Sequence, residues 1–216
     1  MGFITDIGLI KSETSITASI FEKLFPDFNN IIYKSPNNYL SICWKAYTDN
    51  YPNENVGTNG KYFELCIATL LIKEKILPFY VQAKVAFVPN VEYDFILYSK
   101  EVGPICISAK TSLRERYKQA DLEAIALKYV HRKSKSYLLT LNEKESDNIK
   151  IKIKNGDVIG LDDSIHVLSD ELNLFIESLR YYSFCIAPTV DVVRSEVIIT
   201  KEKINSAFNK GNNFTK

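Results

Sequence analysis

The stretch from Phe79 to Leu141 narrows the available folds more than any other part of this chain. Just before it, Phe63, Ile67, Leu70 and Leu71 recur at helical spacing and predict a helix over Lys61–Ile76. The period then changes. "FYVQAKVAFV" (79–88) alternates in part and is rich in β-formers, and "VEYDFILY" (91–98) follows across a turn at Pro89-Asn90. A second turn at Lys100–Pro104 leads into "ICISAK" (105–110), apolar enough for a buried strand. Helix is expected over 113–132 and a further strand at "SYLLTL" (136–141). Three strands joined by short turns pair as an antiparallel meander, whereas a helical crossover allows the fourth to run parallel. The expectation is an α/β fold with a mixed central sheet and flanking helices.

On the N-terminal side, 12–33 reads as helix with Ile16, Ile20, Leu24 and Phe25 on one stripe, interrupted at Pro26. Residues 38–48 read as a short helix, and "DNYPNENVGTNG" reads as a loop. Beyond 142, "NIKIKIKNGDVIGL" predicts a hairpin turning at Asn155-Gly156, with Lys150, Lys152 and Lys154 on one strand face. Helix over 164–181, a strand at 182–187, an edge strand at "SEVIIT" and a disordered tail after Phe208 complete the reading. The 216 residues form a single domain in this reading: a helical part at 1–58, a core at 59–141 and a C-terminal part at 142–216.

Composition excludes some classes. The chain is 46% hydrophobic and 25% charged, unlike a disordered one, and its net charge of +1 makes no global case for nucleic acid or membrane. No apolar run has the length of a membrane span, and Asp6 interrupts the N-terminal apolar stretch, which makes a poor signal peptide. Cys43, Cys66, Cys106 and Cys185 lie in apolar runs without metal-ligand spacing, the pattern of buried free thiols in a reducing, cytoplasmic compartment. His131 and His166 share no motif.

Two polar residues do not suit a plain sheet core. Asp94 interrupts "VEYDFILY", and Lys110 closes "ICISAK". On adjacent strands they would meet near one sheet edge, either as a structural ion pair or as a metal ligand beside a residue that positions an attacking water. Asp94, followed sixteen residues later by a lysine that ends a strand, resembles the PD-(D/E)xK nuclease superfamily, whose core has the same element order. The chain departs from that pattern two residues before the lysine, where Ser108 replaces the usual acid. One subgroup of type II restriction endonucleases makes the same departure and takes its carboxylate from the next helix. That subgroup reads CCGG, or CC and GG around a spacer. Glu123, thirteen residues after Lys110, matches the relocated acid, and Arg114, Glu115 and Arg116 match the subgroup's Arg-Glu-Arg. Glu64 matches an acid often found on the helix before the meander. The resemblance covers roughly residues 60–141.

It implies a Mg²⁺-dependent, site-specific endonuclease acting on double-stranded DNA. Asp94 and Glu123 would hold the ion, Lys110 and Glu64 would complete the catalytic set, and the protein would be a homodimer paired in its cell with a methyltransferase of the same specificity. Base chemistry supports the triplet independently. Arginine pairs with guanine O6 and N7, and a carboxylate accepts from cytosine N4. At a helix N-terminus, side chains can fan into the major groove. Simpler roles stand beside these. Ser112 and Glu115 fit a capping box, Arg114 and Arg116 fit solvated charges, and Glu123 fits a surface carboxylate. Asp121 competes with Glu123 as ligand. Lys128, His131, Arg132 and Lys133, with Lys135, form a basic cluster suited either to solvent or to DNA phosphates. Trp44 is either a core residue or a platform for an extruded base. Two rival functions remain: a DNA-binding protein on an inactive nuclease core, favoured by Ser108, and a repair nuclease that recognises DNA structure.

Overall fold

The computed structural model describes residues 3–10, 15–114 and 116–189. Its helices are α1 (Phe3–Asp6), α2 (Ile16–Leu24), α3 (Pro36–Asn50), α4 (Val56–Lys73), α5 (Arg116–Val130), α6 (Glu143–Asn155) and α7 (Asp170–Leu179). Its strands are β1 (Phe79–Ala83), β2 (Tyr93–Ser99), β3 (Gly103–Lys110), β4 (Lys135–Thr140) and β5 (Asp163–His166). One five-stranded sheet follows chain order, β1-β2-β3-β4-β5. The first three strands pair antiparallel, and β4 and β5 are added in parallel. This is the mixed α/β architecture expected from the strand and helix order.

The pleat divides the core in two. Phe95, Leu97, Ile105, Ile107 and Ala109 face a layer that includes Phe63, Cys66, Ile67 and Leu70 of α4. Residues of opposite parity, Ile96 and Cys106, pack on Leu127 of α5, while Leu138 meets Ala120 and Ala124. The meander and its following crossover therefore put α4 and α5 on opposite faces of the sheet. Trp44 packs among Tyr47, Tyr62 and Phe63, in the core role of its two possible ones.

Several boundaries differ from expectation for local reasons. The helix at α2 stops before Pro26, and its N-cap is Ser15, whose side chain accepts from Ala18 N. The supposed loop "DNYPNENVGTNG" ends early, because Asn55 caps α4 by accepting from Thr58 N and the helix begins at Val56. The strand expected over 79–88 stops at Ala83, and Phe87 and Asn90 beyond it have φ values of 66° and 61°. The strand expected at 182–187 shrinks to one bridge, Ser99 to Phe184. Cys185 is half-exposed, whereas the other three cysteines are buried.

The largest correction is at 143–155, which is helix and not one arm of a hairpin. Asn142 caps α6 by accepting from Glu145 N, and Gly156 ends it in the left-handed region at φ 81°. The Ile/Lys alternation there imitates a strand. Burial follows a helical period instead: Ile149 is buried and Ile153 packs beside it, while Ile151 is 57% exposed. Lys150 pairs with Glu171, and Lys152 sits 5.8 Å from the Tyr117 ring centroid, so these lysines share no strand face. "SEVIIT", the tail after Phe208 and Glu115 lie outside the described residues. Among the described residues, no helix is long and apolar enough to cross a membrane.

Gly160 fixes the height of α5 on its sheet face. Its N–H and that of Leu161 donate to Asp121 Oδ1 at 2.6 and 3.1 Å. A Cβ at Gly160 would stand 2.3 Å from the Asp121 carbonyl oxygen and 2.7 Å from Ile125 N, both backbone atoms. Gly160→Ala should therefore displace α5 and cost about 1–3 kcal/mol, read from the urea unfolding midpoint.

Candidate active site

Asp94 stands at the N-terminal end of β2, and Lys110 at the C-terminal end of the antiparallel β3, so the two share one end of the sheet. Extending the Phe95–Ile107 pairing by one step puts Asp94 opposite Ser108. Asp94 is 8% exposed. Its Oδ2 accepts from Lys110 Nζ at 2.8 Å and from Ala109 N at 2.8 Å. Among the described residues both bonds fall on this one oxygen, which leaves Oδ1 able to take a cation. Ser108 is buried in the same patch.

Two glutamates approach this pair from opposite helical layers. Glu64 of α4 lines a cleft of about 890 Å³ together with Lys61, Val81, Gln82, Asp94 and Phe95. Burial, then the Asp94 charge, push its carboxyl up to about 7, against the pull of Lys110, Lys61 and a hydrogen bond from Gln82. Glu123 of α5 lies within electrostatic reach of the same two residues. Burial raises its pKa and Asp94 adds to the rise, while the Gln119 bond and Lys110 oppose it. Gln119 Nε2 donates to Glu123 Oε1 at 2.7 Å, one helical turn away. Tyr93 donates its hydroxyl proton to the Glu123 carbonyl at 3.0 Å, tying that turn of α5 to β2. Asp121, the competing acid, is held by the N–H groups of Gly160 and Leu161.

Two glutamates made harder to ionise by burial and by the Asp94 charge, gathered around a lysine, form a hard-oxygen donor set with surplus negative charge. Among the described residues no three carboxylate, imidazole or thiol groups converge closely enough to enclose a metal ion by themselves. Two or three protein oxygens are the complement Mg²⁺ takes when water and phosphate supply the rest, so the donor chemistry fits that ion.

The same end of the sheet carries the start of α5. Arg114 and Arg116 are both exposed there, and Arg114 has a φ of 39°, a left-handed conformation rare for a side chain with a Cβ. Ser112 does not occupy a cap position, because the helix begins at Arg116 and the Ser112 hydroxyl faces Glu145 instead. The basic cluster lies elsewhere. Lys128 and Lys135 each pair with Asp162 at 2.9 Å. The turn bearing His131, Arg132 and Lys133 follows the far end of α5, the end remote from Arg116. His131 is half-buried beside Gly103, and burial lowers its pKa.

Sequence reasoning did not single out Gln82, Gln119 or Glu145. Gln119 was legible as an i,i+4 partner of Glu123. Gln82 interrupts its β-rich run as Asp94 does, and its φ of 48° accompanies a 3.0 Å bond from its amide to Glu64 Oε2. Nothing local marks Glu145 as a partner of residues 112–114.

No family model matches the chain, and no curated protein matches it. Among solved structures it is similar to the crystal structure of the type IIP restriction endonuclease Kpn2I. The match covers 76% of this chain and 71% of that one, at 14% identity and a TM-score of 0.47. This is a likeness of overall shape.

The folded protein holds the Glu64 proton up to about pH 7, whereas an unfolded chain releases it near the ordinary 4.5. Between those values the native state binds more protons than the unfolded one, so this residue's contribution to stability is lost as pH rises through that window. In metal-free buffer, Glu64→Gln should raise the urea midpoint at pH 8 relative to wild type and leave it nearly unchanged at pH 4. An equal shift at both pH values would assign the effect to packing.

Proposed function

We propose that this chain is a Mg²⁺-dependent, site-specific endonuclease that cuts double-stranded DNA at a G·C-rich palindrome containing CC and GG. The observation that carries the reading is the half-buried Asp94–Lys110 pair, with the Glu123 carboxylate in electrostatic reach on a helix that Arg114 precedes and Arg116 begins. Phosphodiester hydrolysis needs a positioned water and positive charge around the scissile phosphate, and base readout needs donors held at a fixed offset from that phosphate.

Asp94 Oδ1 and Glu123, with Glu64 nearby, would hold Mg²⁺, which when bound supplies charge to stabilise the phosphate in the transition state and orients the attacking water. The Lys110 ammonium offsets negative charge as the water adds to phosphorus and one P–O bond breaks, and it positions that water, whose proton passes to solvent. The Asp94 carboxylate keeps the lysine at the sheet end instead of letting it sweep through solvent. Glu123 is preferred to Asp121 as the second ligand because it lies within electrostatic reach of Asp94 and Lys110, whereas the Asp121 carboxylate is turned to the backbone of Gly160 and Leu161. Ser108 lies opposite Asp94 and offers a hydroxyl, but it cannot replace the missing charge.

Arg114 and Arg116 read guanines, and Glu115 between them reads cytosine. A homodimer repeats this on the other half-site, and a methyltransferase of the same specificity protects the host's own sites. Arg132 and Lys133, exposed at the far end of α5, suit outlying phosphates better than the bases under the catalytic end. The second reading, a sequence-specific binder without activity, rests on Ser108 in the acidic position. Digestion of a long natural DNA of known sequence separates the possibilities. Discrete Mg²⁺-dependent bands support the proposal. Specific binding without cutting supports the inactive binder, and cutting without discrete bands supports a structure-directed repair nuclease.

Glu123→Gln should bind its site in Ca²⁺ yet cut at least about a hundredfold more slowly in Mg²⁺, near 3 kcal/mol of barrier. Asp121→Asn, which keeps an acceptor oxygen for Gly160, should leave the rate per folded molecule close to wild type. Arg114→Ala and Arg116→Ala should each weaken specific binding by about 1–3 kcal/mol and random-sequence binding much less, measured by titration at fixed salt. An equal loss on both DNAs would make these residues phosphate contacts.

A further inference from the structure

The segment that carries Arg114 is gripped by a carboxylate from another helix. Glu145 Oε2 accepts from Leu113 N at 2.6 Å, while Oε1 faces the Ser112 hydroxyl and Arg114 N, each at 3.4 Å. Glu145 occupies the third position of α6, where in a capping box its side chain would turn back to the cap residue's own N–H. Here that N–H, on Asn142, donates to Thr140 Oγ1 at 3.3 Å, and the Glu145 carboxylate is free to cross to residues 112–114. The two segments are neighbours because both leave the same end of the sheet, one from β3 and the other from the parallel β4.

Three further features hold the grip in place. Leu113 is 1% exposed, in the cluster that contains Leu138 and Ile149. Lys152 of α6 lies over the Tyr117 ring in the first turn of α5. Arg116 N donates to Leu113 O at 2.6 Å, closing the turn. Between these anchors Arg114 takes its φ of 39°, and its side chain is exposed. A free loop would relax such a residue toward negative φ.

Building on the nuclease reading above, we infer that Glu145 is a positioning residue for base recognition: by accepting the Leu113 and Arg114 N–H groups it holds Arg114 in the left-handed conformation that presents its guanidinium to guanine. Glu145 itself touches neither the DNA nor the catalytic carboxylates. Its removal frees the Arg114 backbone, so the arginine loses its preference for one base pair and retains its attraction to phosphate.

The test uses the full chain as wild type, Glu145→Ala and Glu145→Gln, the last keeping the size and one acceptor oxygen. Each cuts a plasmid of known sequence in Mg²⁺, and fragment ends are mapped at the wild-type sites and at sites one base pair different. The expected result is at least a tenfold fall in the ratio of cutting at wild-type sites to one-mismatch sites for Glu145→Ala, with Glu145→Gln intermediate. Loss of folded protein lowers both rates together and leaves that ratio unmoved. Amide hydrogen exchange should rise in residues 112–114 of both variants, with α5 and α6 still protected. If the wild type gives discrete bands and both variants keep the wild-type ratio, the positioning role is overturned while the nuclease reading stands. If the wild type gives no discrete bands, the nuclease reading fails and the recognition role falls with it, whereas unchanged exchange in the variants refutes the grip on its own terms.

Discussion

The register between the second and third strands is the constraint on which the rest depends. It puts Asp94 opposite Ser108, so that one carboxylate oxygen receives both the backbone N–H of Ala109 and the ammonium of Lys110. A one-residue slip would turn Asp94 to the other face of the sheet and take its carboxylate away from both of these donors. A buried charge there would have no partner, which is far costlier than the present arrangement. The pair therefore reports that the register is correct, and it concentrates polarity at one end of an otherwise apolar sheet.

The helical layers complete that end from above and below. Glu64 and Glu123 arrive from opposite faces, and each is made harder to ionise by burial and by Asp94. Lys110 opposes both shifts without cancelling them. In the proposed reading a bound dication would relieve desolvated carboxylates that the protein alone leaves under-compensated. The nearby amides of Gln82 and Gln119 orient the glutamates without adding charge.

The central order of elements was legible because each change of hydrophobic period is bounded by strong turn residues, and adjacent strands of that order bring Asp94 and Lys110 together. Spacing alone favours Glu123 over Asp121, but what the Asp121 carboxylate contacts is visible only in its bond from Gly160, about forty residues away in the chain. The error at 143–155 has a definite origin. Ile149, Ile151 and Ile153 satisfy a two-residue period, yet the cap at Asn142, the acid at Glu145 and Gly156 at the end mark a helix, and tertiary packing buries the positions four apart. The early start of α4 was hidden by Gly57 and Gly60, poor helix formers that the Asn55 cap and the packing of the following turns override. Contacts such as Glu145 with Leu113 lie beyond any local pattern, since they arise from two chain segments leaving neighbouring strands at the same sheet end.

The fifth helix carries Arg116 in its first turn and Glu123 seven residues on, with no Gly or Pro between them. A regular helix separates such positions by about 10 Å along its axis, roughly three base steps of duplex. In the proposed reading, this helix is a ruler: the distance from the base pair that is read to the bond that is broken is written into its backbone. Cut position would then be inherited with the fold and resist drift, because one inserted residue would rotate the two groups apart by about 100° as well as lengthen the span. Such a protein could change which bases it reads by single substitutions far more readily than it could change where it cuts.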